Sequence, residues 1–163
     1  MSSTFDPAAV EAQHVERDRT LRVMLLGAIV IVLAQAGLGM AVNLYVTVPA
    51  HHPGAHPASY FGGSYDSVTW AIAHGAIALA LHASLGLALV VVVTGVAVHA
   101  VLARRRAIVV WSVVGGLLVI GAGFNGASFL DFNDNINSLL MALLAFGAVA
   151  SYAIALFLAA RTP

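Results

Sequence analysis

The sequence predicts an all-α integral membrane protein, a single up-down-up-down bundle of four transmembrane helices. Three observations carry this reading. Of the 163 residues, 61% are hydrophobic and only 9% charged, whereas a soluble domain carries about 25% charged residues. A chain this short has too little interior to hide so much apolar surface from water, and lipid is the solvent that accepts it. The charges also cluster, leaving four uncharged stretches at Val23–Ala50, Ser67–Ala103, Ala107–Leu130 and Asn135–Ala160. Each exceeds the roughly 20 apolar residues that cross a hydrocarbon core of about 30 Å. Finally, every basic residue is an arginine, and all of them fall on one side of the predicted bundle: Arg17, Arg19, Arg22, Arg104, Arg105, Arg106 and Arg161.

By the positive-inside rule the arginine side is cytoplasmic, so both termini face the cytoplasm. The opposite loops carry Asp66, Asp131 and Asp134 and no basic residue, while Asp6, Glu11, Glu16 and Asp18 accompany the arginines. The expected location is a plasma membrane of bacterial inner-membrane type, crossed several times. There are no cysteines, which excludes a disulfide scaffold and a cysteine-based zinc site and leaves histidine or carboxylate metal sites open.

Residues 1–20 read as a cytoplasmic segment holding a short helix, because Asp6 and Pro7 form an N-cap and first-turn pair. Residues 21–163 form one transmembrane domain. Its first span, about 22–48, follows a segment that is acidic as well as basic and is longer than a signal-peptide apolar region, so it is an uncleaved helix. An outer loop, 49–67, follows. The second span, about 68–103, lies in an uncharged run of 37 residues, which as one helix would extend about 55 Å. It is expected to protrude from the outer surface. The third and fourth spans cover about 107–130 and 137–160, joined by a tight outer turn in which Asn137 or Ser138 caps the last helix.

Gly121 to Gly126 spells G-x-G-x-x-G, but inside an apolar helix without a preceding strand it is no nucleotide fingerprint. With Gly37, Gly39, Gly75, Gly86, Gly115 and Gly116 it reads instead as small-residue packing between helices. Polar residues gather in the outer half of the bundle: Asn43 and Gln35 in the first span, His82 in the second and Asn125 in the third. Buried amides seek partners, and His82, Ser128, Ser138 and Met141 are the expected ones. In the outer loop His51, His52 and His56, with Asp66, have the chemistry to hold Zn or Cu through neutral imidazole. Histidines outside the membrane are also suited to sensing acid pH.

A haem in such a bundle takes axial ligands from facing helices. His82 is the candidate on the second span, Met141 lies at similar depth on the fourth, and His74 stands two turns above His82. His82 and His99 are 17 residues apart, about 260° round the helix and about 25 Å along it, which argues against two stacked haems. The stretch His82-Ala83-Ser84-Leu85-Gly86, running to Arg104-Arg105-Arg106 and followed by two more spans, resembles half of a haem A synthase over roughly residues 70–160. In that family a second outer-side histidine opens the helix two spans later. Here Met141 stands near that position, and Ala83 follows His82 where the family has an arginine, so bis-histidine ligation would need a homodimer.

Three functions follow as expectations. The sharpest is a b-type haem-binding or metal-binding redox module with His82, Met141, His74, Asn125 and Asn43 around the cofactor. The alternative is a non-enzymatic accessory or assembly subunit of a larger membrane complex, partnered by other membrane subunits or by copies of itself. A small transporter is the third, though no broken helix or chain of intramembrane carboxylates supports it. No arrangement of residues points to hydrolase, kinase or nucleic-acid chemistry.

Overall fold

A computed structural model describes residues 6–161. They form five α-helices: α1 (Pro7–Tyr45), α2 (Tyr60–His74), α3 (Ile77–Leu102), α4 (Arg106–Phe132) and α5 (Asn135–Ala160). Four of these contain stretches long and apolar enough to cross a membrane, Val15–Tyr45 in α1 and the whole of α3, α4 and α5. Only 17–28% of the most apolar part of each is buried within the chain. The remainder turns leucines, valines and phenylalanines outward, as helices surrounded by lipid do.

The four long helices pack as a ring in which α1 touches α3 and α5, and α4 touches the same two. Each contributes an inward stripe with one spacing. Leu21, Leu25, Ala28 and Val32 on α1, Leu89, Val93, Val96 and Ala100 on α3, and Ala148, Tyr152, Ala155 and Ala159 on α5 are all buried. Ile108, Ser112, Gly115 and Val119 continue the pattern on α4. Steps of four, three and four residues keep a nearly straight seam facing the bundle axis, as in left-handed helix packing. Lipid tails are as apolar as leucine, so van der Waals fit rather than water exclusion holds this seam together. A close fit within the seam is at Gly115, where an added Cβ would lie 2.8 Å from Cε1 of Tyr152. The largest fully buried side chain therefore sits directly on α4 backbone.

Three features depart from the expected layout. The run 68–103 is not one protruding helix, since Gly75 (φ −69°, ψ 165°) and Ala76 are extended and separate α2 from α3. Only glycine permits the break, because a Cβ at position 75 would collide with the Ala71 carbonyl. α3 is thereby shortened to 26 residues, about 39 Å, a length that suits a bilayer. α1 is continuous from Pro7, with no separate leading helix; the first five residues of the expected N-terminal segment lie outside the described residues. The cap of α5 is Asp134, whose carboxylate accepts from the Ile136 N–H at 3.1 Å, rather than Asn137 or Ser138. Asn133 makes this possible by ending α4 in the left-handed conformation (φ 51°), which lets the next helix restart within two residues.

α2 lies against α3 and α4. Together with residues 46–59 it covers one end of the bundle, the cap end, over a small apolar cluster of Val42, Val48, Ala71, Leu79 and Leu130. At the other end, the arginine end, the Arg105 guanidinium reaches Asp18 of α1 at 3.7 Å.

Candidate functional site

The cap is built on tight backbone. Gly54 adopts φ +90°, and any side chain there would strike Ser67 and the Gly63 carbonyl. His56 also takes a positive φ of 50°. Such geometry is uncommon for a residue with a Cβ and persists where surrounding contacts over-determine it. Here the His56 N–H donates to the Asp131 carbonyl at 2.9 Å, tying the loop to the last turn of α4. His52 ties it a second time: Nδ1 lies 2.8 Å from the Pro53 carbonyl and Nε2 3.2 Å from the Leu130 carbonyl. Its ring stacks on Trp70 of α2, with centroids 4.4 Å apart and planes 15° from parallel. Tyr60 closes the side by donating to the Phe124 carbonyl at 3.1 Å and accepting from Ser128 at 3.0 Å.

Beneath the loop is a cavity of about 220 Å³ whose wall includes His52, His56, Leu130, Asp131 and Phe132. Asp131 is 1% exposed. Ser64 of α2 donates to its Oδ2 at 3.0 Å, and Oδ1 is buried without a hydrogen-bond partner. An ionised carboxylate in that position needs a cation or further donors nearby. The same cavity wall holds the side chains of His52 and His56.

His52 has a particular consequence. Carbonyl oxygens only accept, and a neutral imidazole carries a single N–H, so both contacts form together only when the ring is doubly protonated. Both ring nitrogens of His52 thus lie against backbone carbonyls. His51 and Asp66 are exposed, and among the described residues no group of three or more His, Asp or Glu side chains gathers closely enough to hold a metal. The four expected outer-loop ligands are thus not assembled into one site.

A second polar cluster lies between α1 and α3. The Gln35 amide donates to the His82 carbonyl at 2.9 Å and approaches His82 Nε2 at 3.4 Å. Two glycines make room for it: a Cβ on Gly39 would lie 2.8 Å from the imidazole, and one on Gly86 would lie 3.2 Å from the Gln35 amide nitrogen. Gln35 Oε1 and His82 Nδ1 are buried without partners. Met141 turns elsewhere, its sulfur 3.2 Å from where a Cβ on Gly126 of α4 would be. The structure therefore does not set His82 and Met141 face to face as axial ligands: the imidazole is packed against α1 and the thioether against α4. Neither the cap cavity nor a second cavity at the arginine end is lined by either residue.

Of the other expected site residues, Asn43 accepts from Ser138 of α5 at 3.4 Å, and Asn125 donates to the Gly121 carbonyl of its own helix at 2.9 Å. His74 is exposed at the end of α2, and His99 bonds the Gly95 carbonyl of its own helix at 3.1 Å. The sequence reading missed Asp131, which it placed in a loop. Its position between Leu130 and Phe132, both apolar, was the available signal that α4 runs on and buries it. Comparison of the chain with known protein families, characterised proteins and solved structures gives no match.

Proposed function

We propose that the protein is a non-enzymatic accessory subunit of a larger membrane assembly. On this reading the four spans run up-down-up-down in a bacterial-type plasma membrane, with the arginine end and both termini in the cytoplasm and the cap outside. One observation carries the proposal. Gly37 lies exposed on α1, beside exposed Ala34 and Met40, and an added Cβ there meets nothing within 4 Å. Glycine in a helix interior costs about 1 kcal/mol relative to alanine. Among the described residues no contact offsets that cost at position 37, whereas a second helix backbone approaching closely would. The polar groups of the long helices support the same reading, since Asn43, Asn125 and Ser151 are engaged in contacts between or within helices and the Gln35 amide nitrogen bonds the His82 carbonyl. The test is gentle extraction followed by copurification and crosslinking of wild type and Gly37→Ile. The variant should lose its partners, or its self-association, while unfolding at the wild-type temperature. A wild-type protein that is a lone monomer, or a variant that stays assembled, would refute the proposal.

A further inference from the structure

We infer that the turn between α3 and α4 holds an anionic phospholipid, its phosphate between Arg104 and Arg106 and an acyl chain along Val101, Val109 and Val110. These five residues line a cavity of about 290 Å³ at the arginine end. Its composition is divided as a lipid is: two arginines at the turn, and valines about one turn along each helix, in a wall that is mostly apolar. Val101 and Val110 are more than half exposed and face away from the bundle core. The three consecutive arginines do not act alike. Arg105 turns toward α1 and meets Asp18, whereas Arg104 and Arg106 are exposed and pair with no carboxylate among the described residues.

Backbone geometry separates them. Arg104 sits at φ 56°, a left-handed position that glycine would occupy without strain, and its N–H closes the turn onto the Val101 carbonyl at 3.0 Å. Holding an arginine there keeps a basic side chain among the residues that line the cavity. Arg106 is the first residue of α4, so the partial positive charge of that helix end adds to the same field. A planar guanidinium binds a phosphodiester through two parallel hydrogen bonds, which an ammonium does not do, and every basic residue of the chain is arginine. Basic pockets beside transmembrane helices on the arginine-rich side are matched to acidic headgroups. The valines distinguish a lipid from free phosphate, because a soluble anion gains nothing from an apolar groove.

The experiment is native mass spectrometry of the delipidated full-length protein titrated with phosphatidylglycerol or phosphatidylcholine, with inorganic phosphate as a separate competitor. Phosphatidylglycerol should bind in preference to phosphatidylcholine. Arg104→Gln/Arg106→Gln should weaken that binding by about tenfold or more, and Arg161→Gln, at the same end but outside the cavity, should leave it unchanged. Arg104→Gly/Arg106→Gln separates binding from folding: relief of the left-handed strain should leave it at least as heat-stable as wild type while lipid binding falls. Equal binding of the two lipids, an equal loss in Arg161→Gln, or displacement of the lipid by millimolar phosphate would each overturn the assignment.

Discussion

Gly115 and Gly116 are neighbours on α4, both buried, and the same substitution is expected to act oppositely at the two. A Cβ on Gly115 would lie 2.8, 2.9 and 3.1 Å from three ring carbons of Tyr152. The ring has nowhere to go, since Tyr152 is fully buried in the central seam. Overpacking of this kind costs about 1–3 kcal/mol, against a gain of up to about 1 kcal/mol from replacing a helical glycine by alanine. At Gly116 the nearest atoms would be Tyr152 Oη at 3.7 Å and Val93 Cβ at 3.8 Å, ordinary contact distances, so only the gain remains. Gly115→Ala should therefore fall below Gly116→Ala by about 2 kcal/mol, which for a chain of this length separates the melting temperatures by about 4–8 °C. Thermal unfolding of the two variants in one detergent measures it. A Tyr152→Leu background supplies the control, because removing the ring should abolish the difference. Indistinguishable variants, or a difference that survives in that background, would refute the packing argument.

The other predictions concern single contacts. Tyr152→Phe should be neutral or stabilising by up to about 1–3 kcal/mol in the same unfolding assay, because the Tyr152 hydroxyl is buried without a partner and its removal deletes an unsatisfied group. Gly39→Ala should displace the His82 imidazole and break its contacts with Gln35. In a double-mutant cycle with His82→Ala the two losses should be less than additive, by about 1 kcal/mol; strict additivity would show that they do not touch. Gly54→Ala should loosen the cap, since φ +90° strains alanine and its Cβ would strike Ser67. Limited proteolysis should cut within residues 49–59 faster in this variant, leaving the long helices intact. Ser64→Ala removes the donor to the Asp131 carboxylate and should destabilise the cap by about 1–3 kcal/mol, measured as faster hydrogen exchange in α2.

Much of the bundle was legible because charge and lipid set its terms. Each arginine or aspartate costs several kcal/mol at a bilayer centre, so the uncharged gaps match α4 and α5 to within two residues, whereas the starts of α1 and α3 were not bounded by them. The pairing of two amides on the first span was legible for the same reason: Gln35 and Asn43 had few polar neighbours to choose from, and they found His82 and Ser138. The cap was not legible. Its contacts join residues far apart in the chain, such as His52 to Leu130 and Ser64 to Asp131, and no local pattern encodes a tie of that length.

What the sequence determined by itself is therefore the solvent, since 61% hydrophobic and 9% charged residues dictate four apolar helices whichever way they pack. Tertiary structure decided the rest, because identical glycines meet different neighbours. Gly75 meets its own helix's carbonyl and breaks the second uncharged run in two, Gly115 receives a tyrosine ring, and Gly37 meets nothing. It likewise decided that Asp131 is buried beside two imidazoles rather than exposed in a turn. Neither outcome could be read from residue type, for a side chain's role depends on the atoms that the fold brings within about 4 Å of it.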